Sequence, residues 1–411
     1  MIKRAEIELL KQHKDTTTII KIITGVRRCG KSTLLQQYVE YLKKIGIHSN
    51  QIILLSLDQP DTYDFTTWKE MLTYVLSKCT NKNLKYYVLI DEVQIIQDWQ
   101  IAVNSLSKKI FIDIYVTGSN AYLFSNKIST LLTGKIMEIK LFPLSFKDFY
   151  DYEIQLVKTQ SLNELAKIWK KYLDFGGLPG QLIYEDKQQL QKQYINSVYN
   201  DILVKDILNR YTIEHVDEFN RICRFLLKNI GGKKISLRKI VDIGNQENKW
   251  SLSPTTVSNY ITYLQEALIV NKLDYFSYKN NQELINTSKY FATDHGMRNV
   301  LMQEKISGYG RIIENIVYIE LLRRNYIVKG LITTNNKEID FLITKDNMSI
   351  NLQVCKTLDK DNYDSEIGNF NYLNNRNKCV ILCESVSDDI EINNGVIVVN
   401  VIDWLLHTSD I

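Results

Sequence analysis

Residues 25–33 read Gly25-Val26-Arg27-Arg28-Cys29-Gly30-Lys31-Ser32-Thr33, between the apolar run Ile19-Ile20-Lys21-Ile22-Ile23 and Leu34-Leu35-Gln36-Gln37-Tyr38-Val39. The spacing is G-x-x-x-x-G-K-[ST] without a mismatch. A β-rich run feeds it and a helical periodicity leaves it, which is the strand–loop–helix context the motif requires. Phosphate chemistry explains the spacing. Gly25 and Gly30 allow backbone angles that let successive N–H groups close around phosphate oxygens. The helix start adds partial positive charge at the same point. Lys31 can then reach the outer phosphates and Ser32 can ligate Mg²⁺, while Arg27, Arg28, Cys29 and Thr33 complete the loop. A tight glycine turn capping an ordinary helix is the plainer alternative, and the context argues against it. The stretch predicts an ATP site with Mg²⁺ as cofactor.

Outward from the loop, short apolar strands alternate with helical stretches up to about Pro143. The expected strands are Ile19–Thr24, Gln51–Leu57, Tyr86–Asp91, Ile112–Thr117 and Lys135–Leu141. Helices are expected at Ser32–Lys44, Thr67–Lys78, Trp99–Lys108 and Ala121–Thr130. That alternation predicts an α/β fold with a parallel sheet and a ligand at the carboxyl ends of its strands. Tyr86-Tyr87-Val88-Leu89-Ile90 ends in Asp91-Glu92. Asp91 is the expected metal-shell acid, and Glu92 would orient and deprotonate the attacking water. Acids often terminate strands; the distance from the phosphate loop is what gives this pair weight. The fourth strand ends in Thr117-Gly118-Ser119-Asn120, where a polar side chain could meet the attacking water or the γ-phosphate. Asn120 is taken for that role, and Ser119 or Asn120 could equally cap the next helix.

Composition sets the outer bounds. The chain has 411 residues, 45% hydrophobic and 24% charged, enough for two or three globular domains. A net charge of +4 is too mild to name a polyanionic partner. No apolar signal segment and no long apolar run stand out, so neither secretion nor a membrane span is expected. Cys29, Cys79, Cys223, Cys355, Cys379 and Cys383 are scattered, which argues against zinc or a disulfide framework and for the cytoplasm.

GVRRCGKSTLL, LIDEVQ followed by Trp99, TGSNAYL, STLLTGK and Leu141-Phe142-Pro143-Leu144-Ser145-Phe146 together resemble a branch of the AAA-type ATPases. These are bacterial and archaeal proteins fused to a carboxy-terminal, uncharacterised nuclease-like domain. The resemblance covers nearly the whole chain, and the Arg27-Arg28 pair and LFPLSF are its more specific parts. It implies an ATPase core with strand order 5-1-4-3-2. Similar proteins usually carry arginine after the glycine of the L-x-G stretch, where Lys135 stands here. A lysine offers phosphate a point charge rather than a planar fork. If that position serves the transferring phosphoryl group, turnover is slow; alternatively Lys135 only starts a strand.

The four expected regions are an ATPase core (1–147), a helical lid (148–215), a winged-helix-like region (216–285) and a restriction-endonuclease-like domain (286–411). In the lid, Tyr194–Arg210 reads as a long amphipathic helix, broken upstream by Phe175-Gly176-Gly177-Leu178-Pro179-Gly180. Asp206 and Arg210 lie one helical turn apart, as a surface pair or as a lid arginine near the γ-phosphate. In the next region, residues 236–241 and 253–261 suggest two helices, the second with Ser253 as N-cap and Pro254 at its first position. Arg221, Arg224, Lys228, Lys233, Lys234, Arg238, Lys239 and Lys249 outnumber Asp242 and Glu247, a candidate footprint for DNA phosphates. Thr255 to Glu266 holds no Lys or Arg, which speaks against base readout.

In the last region, Glu314 on a helix and Asp340 on a strand fit a nuclease-like metal cluster. The next strand supplies Gln353 and Cys355 where an acid and a lysine would be needed, and Lys356 comes one residue late, on the opposite face. That predicts an inactive domain. The favoured function is an ATP-driven conformational switch acting on an unknown protein partner; the alternative is an ATP-dependent nucleic-acid-binding or nuclease protein. The sequence leaves self-association open.

Overall fold

The computed structural model describes residues 2–59, 65–119, 131–157, 161–185, 187–246, 250–277, 282–302, 309–373, 377–392, 395–407 and 411. Asn120 and the expected helix Ala121–Thr130 lie outside the described residues, as do Glu247 and Lys249. The chain divides into two compact units, one of residues 1–142 with 266–268 and one of residues 143–265 with 269–411.

The first unit is built on β1 (Ile20–Thr24), β2 (Ile52–Ser56), β3 (Tyr86–Asp91), β4 (Ile112–Gly118) and β5 (Ile136–Lys140). All neighbours pair parallel, in the order β2-β3-β4-β1-β5, so the 5-1-4-3-2 order is observed. Strands β1, β3 and β4 are buried along their whole length, which is why they read as continuous apolar runs rather than alternating ones. Helix α1 (Ile7–Gln12) precedes the sheet, and α2 (Lys31–Lys44), α3 (Trp68–Lys78) and α4 (Trp99–Ser107) connect it. Thr67 caps α3, accepting from the Glu70 N–H while Glu70 answers at the Thr67 N–H. Ile22, Leu55, Val88 and Ile114 of the strands pack with Met71 and Val75 of α3 and Trp99 and Val103 of α4 in one core.

The run Ile19–Ile23 hides a charge. Lys21 and Asp113 are fully buried and ion-paired across β1 and β4. Tyr115 donates to Asp113, Tyr38 shares a hydrogen bond with Tyr115, and the Lys21 ammonium also reaches the Thr16 and Ile19 carbonyls. Burial on this scale is tolerated because every polar atom in the network has a partner.

The second unit opens with helices Phe146–Val157, Leu162–Phe175 and Gln188–Asp201. Between the last two, Gly176 adopts φ +74°, and a Cβ there would lie 2.4 Å from Asp294 Oδ1, so only glycine fits this turn. The expected Tyr194–Arg210 helix is α-helical only to Asp201; Ile202–Leu208 is a π-turn. The added residue per turn changes the helical phase, so Asp206 is buried while Arg210 is half-buried, not an i,i+4 surface pair.

Helix Val216–Lys228, strand β6 (Ile235–Ser236), helices Leu237–Gln246 and Pro254–Glu266, and the hairpin β7 (Val270–Ser277) and β8 (Gln282–Ala292) follow. The Ser253 hydroxyl accepts from the Thr256 N–H, as an N-cap does. After helices His295–Met302 and Gly310–Arg323 come β9 (Ile327–Ile332), β10 (Glu338–Lys345) and β11 (Met348–Val354), an antiparallel meander. Two-residue strands β12 (Thr357–Leu358) and β14 (Ser385–Val386) pair beside it, and β13 (Lys378–Cys383) and β15 (Val396–Asn400) extend it in parallel. The result is a single eight-stranded sheet, β15-β13-β11-β10-β9-β7-β8-β6. Strand β8 runs through position 285/286, and β7 pairs in parallel with β9, so the hairpin and the carboxy-terminal strands share one sheet.

Candidate functional site

The strand–loop–helix geometry comes from three backbone features. Gly30 sits at φ +108° immediately before α2, and Arg28 at φ +66°. Gly25 lies so close to the end of β5 that a Cβ would be 2.2 Å from the Leu141 carbonyl oxygen and 2.7 Å from Cys29 Sγ. Cys29 is fully buried, and burial pushes its thiol up, so only its main chain can line the loop. Arg27 is half-buried and Arg28 exposed. Thr33 is half-buried in the first turn of α2, and Ser32 is exposed there.

Lys31 is buried, and its ammonium donates to the Gly25 carbonyl (3.0 Å), the Val26 carbonyl (3.4 Å) and the Ser119 hydroxyl (2.9 Å). It stands 3.5 Å from Glu92 Oε1. Ser119 in turn donates to the Glu92 carboxylate at 2.7 and 2.9 Å. Gln94 donates to Glu92 Oε2 at 2.5 Å. Glu92 itself has φ +52°, a left-handed conformation unusual for a side-chain-bearing residue. Burial pushes its carboxyl up, but the Lys31 charge with the Ser119 and Gln94 hydrogen bonds outweighs that and holds it below the ordinary range.

Asp91 behaves oppositely. Its burial raises the carboxyl, only partly offset by hydrogen bonds from Ser32 and Thr117. The Ser32 hydroxyl and the Asp91 carboxylate therefore already meet, which is the donor set a hard divalent cation takes. Lys31, Ser32, Asp91 and Glu92 thus converge at the carboxyl ends of β1 and β3. Ser119, weighed beside Asn120 from the sequence, is the residue that joins Lys31 to Glu92. Thr117 and Gln94 were not anticipated; only their closeness to the strand ends could have signalled them. Lys135 lies elsewhere. Its carbonyl accepts from the Ile20 N–H at the start of β1, one strand length (about 16 Å) from the loop, and its ammonium donates to Asn104. Within its own chain Lys135 stands at the start of β5, the plainer of the two readings, with its ammonium on Asn104.

A second charged cluster sits in the other unit. The Lys289 ammonium, from β8, lies 2.5 Å from Glu314, 3.4 Å from Glu338 and 3.6 Å from Asp340. The acids hold it well above the usual lysine range against its burial. Burial in turn pushes Glu314 and Asp340 up, Glu314 most. Gln353 accepts from the Asp340 N–H and donates to the Ser365 carbonyl, and the Val354 N–H donates to Asp340. Lys356 is exposed and lies over the Tyr309 ring, away from the acids. Among the described residues no group of His, Cys, Asp and Glu is arranged to hold a metal ion. All six cysteines are free, and no helix of the described residues is long and apolar enough to cross a membrane.

Comparison with known proteins agrees with this geometry. Residues 17–150 match the AAA domain, and residues 166–307 match a domain of unknown function, DUF8612. The Walker-type ATPase of Pyrococcus abyssi superposes with a TM-score of 0.53 at 13% identity, over 74% of this chain and 96% of that one. The protein is an ATPase of the P-loop, AAA type. The chain is 32% identical over 408 residues to an uncharacterized protein of Haemophilus influenzae, covering 99% of both. It is 31% identical over 360 residues to an uncharacterized protein of Methanocaldococcus jannaschii, covering 85% of this chain and 77% of that one. It belongs to one family with these two proteins.

Proposed function

We propose that the protein is a Mg²⁺-dependent ATP-hydrolysing switch whose turnover at the phosphate loop alters how its second unit engages a protein partner. The observation that carries the reading is the convergence of Lys31, Ser119 and Glu92 with the Ser32–Asp91 pair. Ser32 and Asp91 would hold Mg²⁺, which when bound supplies charge to the phosphates. The loop amides of residues 25–33 bind the phosphate oxygens, with Arg27 and Arg28 adding positive charge at its rim. Lys31, released from Glu92 by the competing phosphate, neutralises the outer phosphates. Glu92, kept ionised by its surroundings, orients water and takes its proton. Asn120, one residue beyond Ser119, is assigned a supporting contact to that water.

The order helix, short strand, two helices and hairpin in residues 216–292 supports a winged-helix reading, with DNA as a secondary candidate partner. Two of its basic residues have internal roles, since Arg224 donates to the Leu301 carbonyl and Lys234 lies over Tyr275. The helix Gly310–Arg323 before the β9–β11 meander and parallel β13 supports a restriction-endonuclease-like reading of the remainder. A nuclease reading is opposed by Lys289, whose ammonium fills the space among Glu314, Glu338 and Asp340. The two residue types expected to fail there, Gln353 and Cys355, are buried, and Gln353 is tied to backbone.

Nucleotide binding and turnover in two variants test the assignment. Lys31→Ala should lose ATP binding. Glu92→Gln should bind ATP with Mg²⁺ and turn it over at least about a hundredfold more slowly, as expected when a general base is removed. Equal turnover in Glu92→Gln and wild type would refute the role of Glu92.

A further inference from the structure

We propose that Thr117 is a positioning residue for ATP hydrolysis, its hydroxyl joining the metal-side carboxylate of Asp91 to the base Glu92. The inference rests on the roles proposed above for those two acids. Ile90 of β3 pairs with Val116 of β4, so Asp91 and Thr117 are side by side at the ends of adjacent parallel strands. The Thr117 hydroxyl donates to Asp91 Oδ1 and accepts from the Glu92 N–H at 3.0 Å. One oxygen thus carries two hydrogen bonds, one to each acid.

Three features make this more than a filled hydrogen-bond site. Thr117 is fully buried, so water cannot replace its hydroxyl without a rearrangement. Its β-branched side chain is stiff at χ1 inside a strand, which fixes where the oxygen points. The N–H it accepts belongs to the residue with φ +52°, and a buried N–H left without an acceptor would remove a restraint on that conformation. Ser119, Gln94 and Lys31 hold the Glu92 carboxylate; Thr117 holds its backbone and the neighbouring Asp91. Without the hydroxyl, Glu92 can relax toward ordinary backbone angles and swing its carboxylate away from Lys31 and Ser119. Asp91 loses the hydroxyl that fixes its Oδ1, so metal uptake at Ser32 and Asp91 weakens at the same time.

The test compares wild type, Thr117→Val, Thr117→Ser and Glu92→Gln in ATP binding, in kcat and KM, and in turnover across a Mg²⁺ titration. Thr117→Val is nearly isosteric and lacks only the hydroxyl. It should bind ATP within about threefold of wild type, lose roughly ten- to a hundredfold in kcat, and need several-fold more Mg²⁺ for half-maximal turnover. Thr117→Ser should restore most of kcat and of the Mg²⁺ requirement, to within about threefold, because it keeps the hydroxyl and loses only the β-branch that stiffens it. A Thr117→Val enzyme with wild-type kcat and Mg²⁺ dependence, while Glu92→Gln is inactive, overturns this proposal and leaves the site reading intact. Wild-type turnover in Glu92→Gln overturns the site reading itself. Should Thr117→Val not fold, Thr117→Ala takes its place; if neither hydroxyl-free variant folds, the hydroxyl is structural and the positioning role is rejected.

Discussion

Replacing Lys289 with methionine removes an ammonium in contact with three carboxyl groups drawn from a helix and a strand. The lysine is 4% exposed, and Glu314 is nearly as buried, so solvent screens their interaction little. Removing one partner of a buried ion pair leaves the other charge uncompensated, at about 3–5 kcal/mol. For a unit of this size that corresponds to a fall in melting temperature of roughly 10 °C near neutral pH. The loss depends on pH with a definite sign. Burial raises the Glu314 and Asp340 carboxyls and lifts Glu366 to about 8. A carboxyl raised in the folded state favours folding fully at low pH, and that contribution fades as pH rises through its raised range. In wild type Lys289 opposes the fading; in Lys289→Met that charge is gone and hydrogen bonds such as the one from the Val354 N–H to Asp340 are left to oppose it. The variant's deficit should therefore be largest near pH 8 and shrink toward pH 5. Adding Glu314→Gln to Lys289→Met should recover a good part of it, since two contacting sites do not add independently. Melting curves at pH 5 and 8 for wild type, the two single variants Lys289→Met and Glu314→Gln, and the double variant decide the matter. A Lys289→Met protein within about 1 kcal/mol of wild type at pH 8, or a deficit that does not change with pH, would show that the ammonium is not what keeps the acids together.

Two further outcomes follow from the geometry. Gly25→Ala places a Cβ against the Leu141 carbonyl, which is main chain and cannot swing aside; ATP binding should be lost and stability should fall by about 1–3 kcal/mol, measured by nucleotide retention and denaturant melts. Plasmid DNA incubated with the protein and Mg²⁺ or Mn²⁺ should remain intact, and cleavage that disappears in Asp340→Ala would overturn the reading of an occupied, inactive cluster.

What could be read from the sequence follows from how far apart the interacting residues are. Strands β1 to β5 match expectation to within a residue or two: β1, β3 and β4 are buried on both faces and so nearly continuous in apolar residues, and the loop spacing Gly25–Thr33 is itself the geometry of phosphate contact. The Asp91-Glu92 pair was legible as a strand end. The bonds that align the pair were not, since Thr117 and Ser119 arrive from β4, and nothing in TGS distinguishes a brace from a cap. Residues 202–208 misled for a different reason: an i,i+4 argument assumes α-helical phase, and a π-turn breaks it without any compositional mark.

The buried lysines make the same point about charge. Lys31, Lys21 and Lys289 are all buried against carboxylates, yet only Lys31 could be recognised as functional, because its motif is local. Lys21 looks like an interruption in Ile19–Ile23, and its partner Asp113 is a β4 residue that reads as an ordinary acid. Lys289 stands just past an expected boundary at 285/286, in a strand whose partners in the sheet, β7 and β6, precede that boundary. A reading that divides the chain there sees a nuclease-like cluster with a weakened third element at Gln353 and Cys355. A reading that keeps β8 with both sides sees a cation already delivered to these acids by the hairpin. The balanced charge of the cluster and the continuous eight-stranded sheet are then linked through the hairpin, since β7 pairs with β9 and its neighbour β8 carries the ammonium that meets the acids.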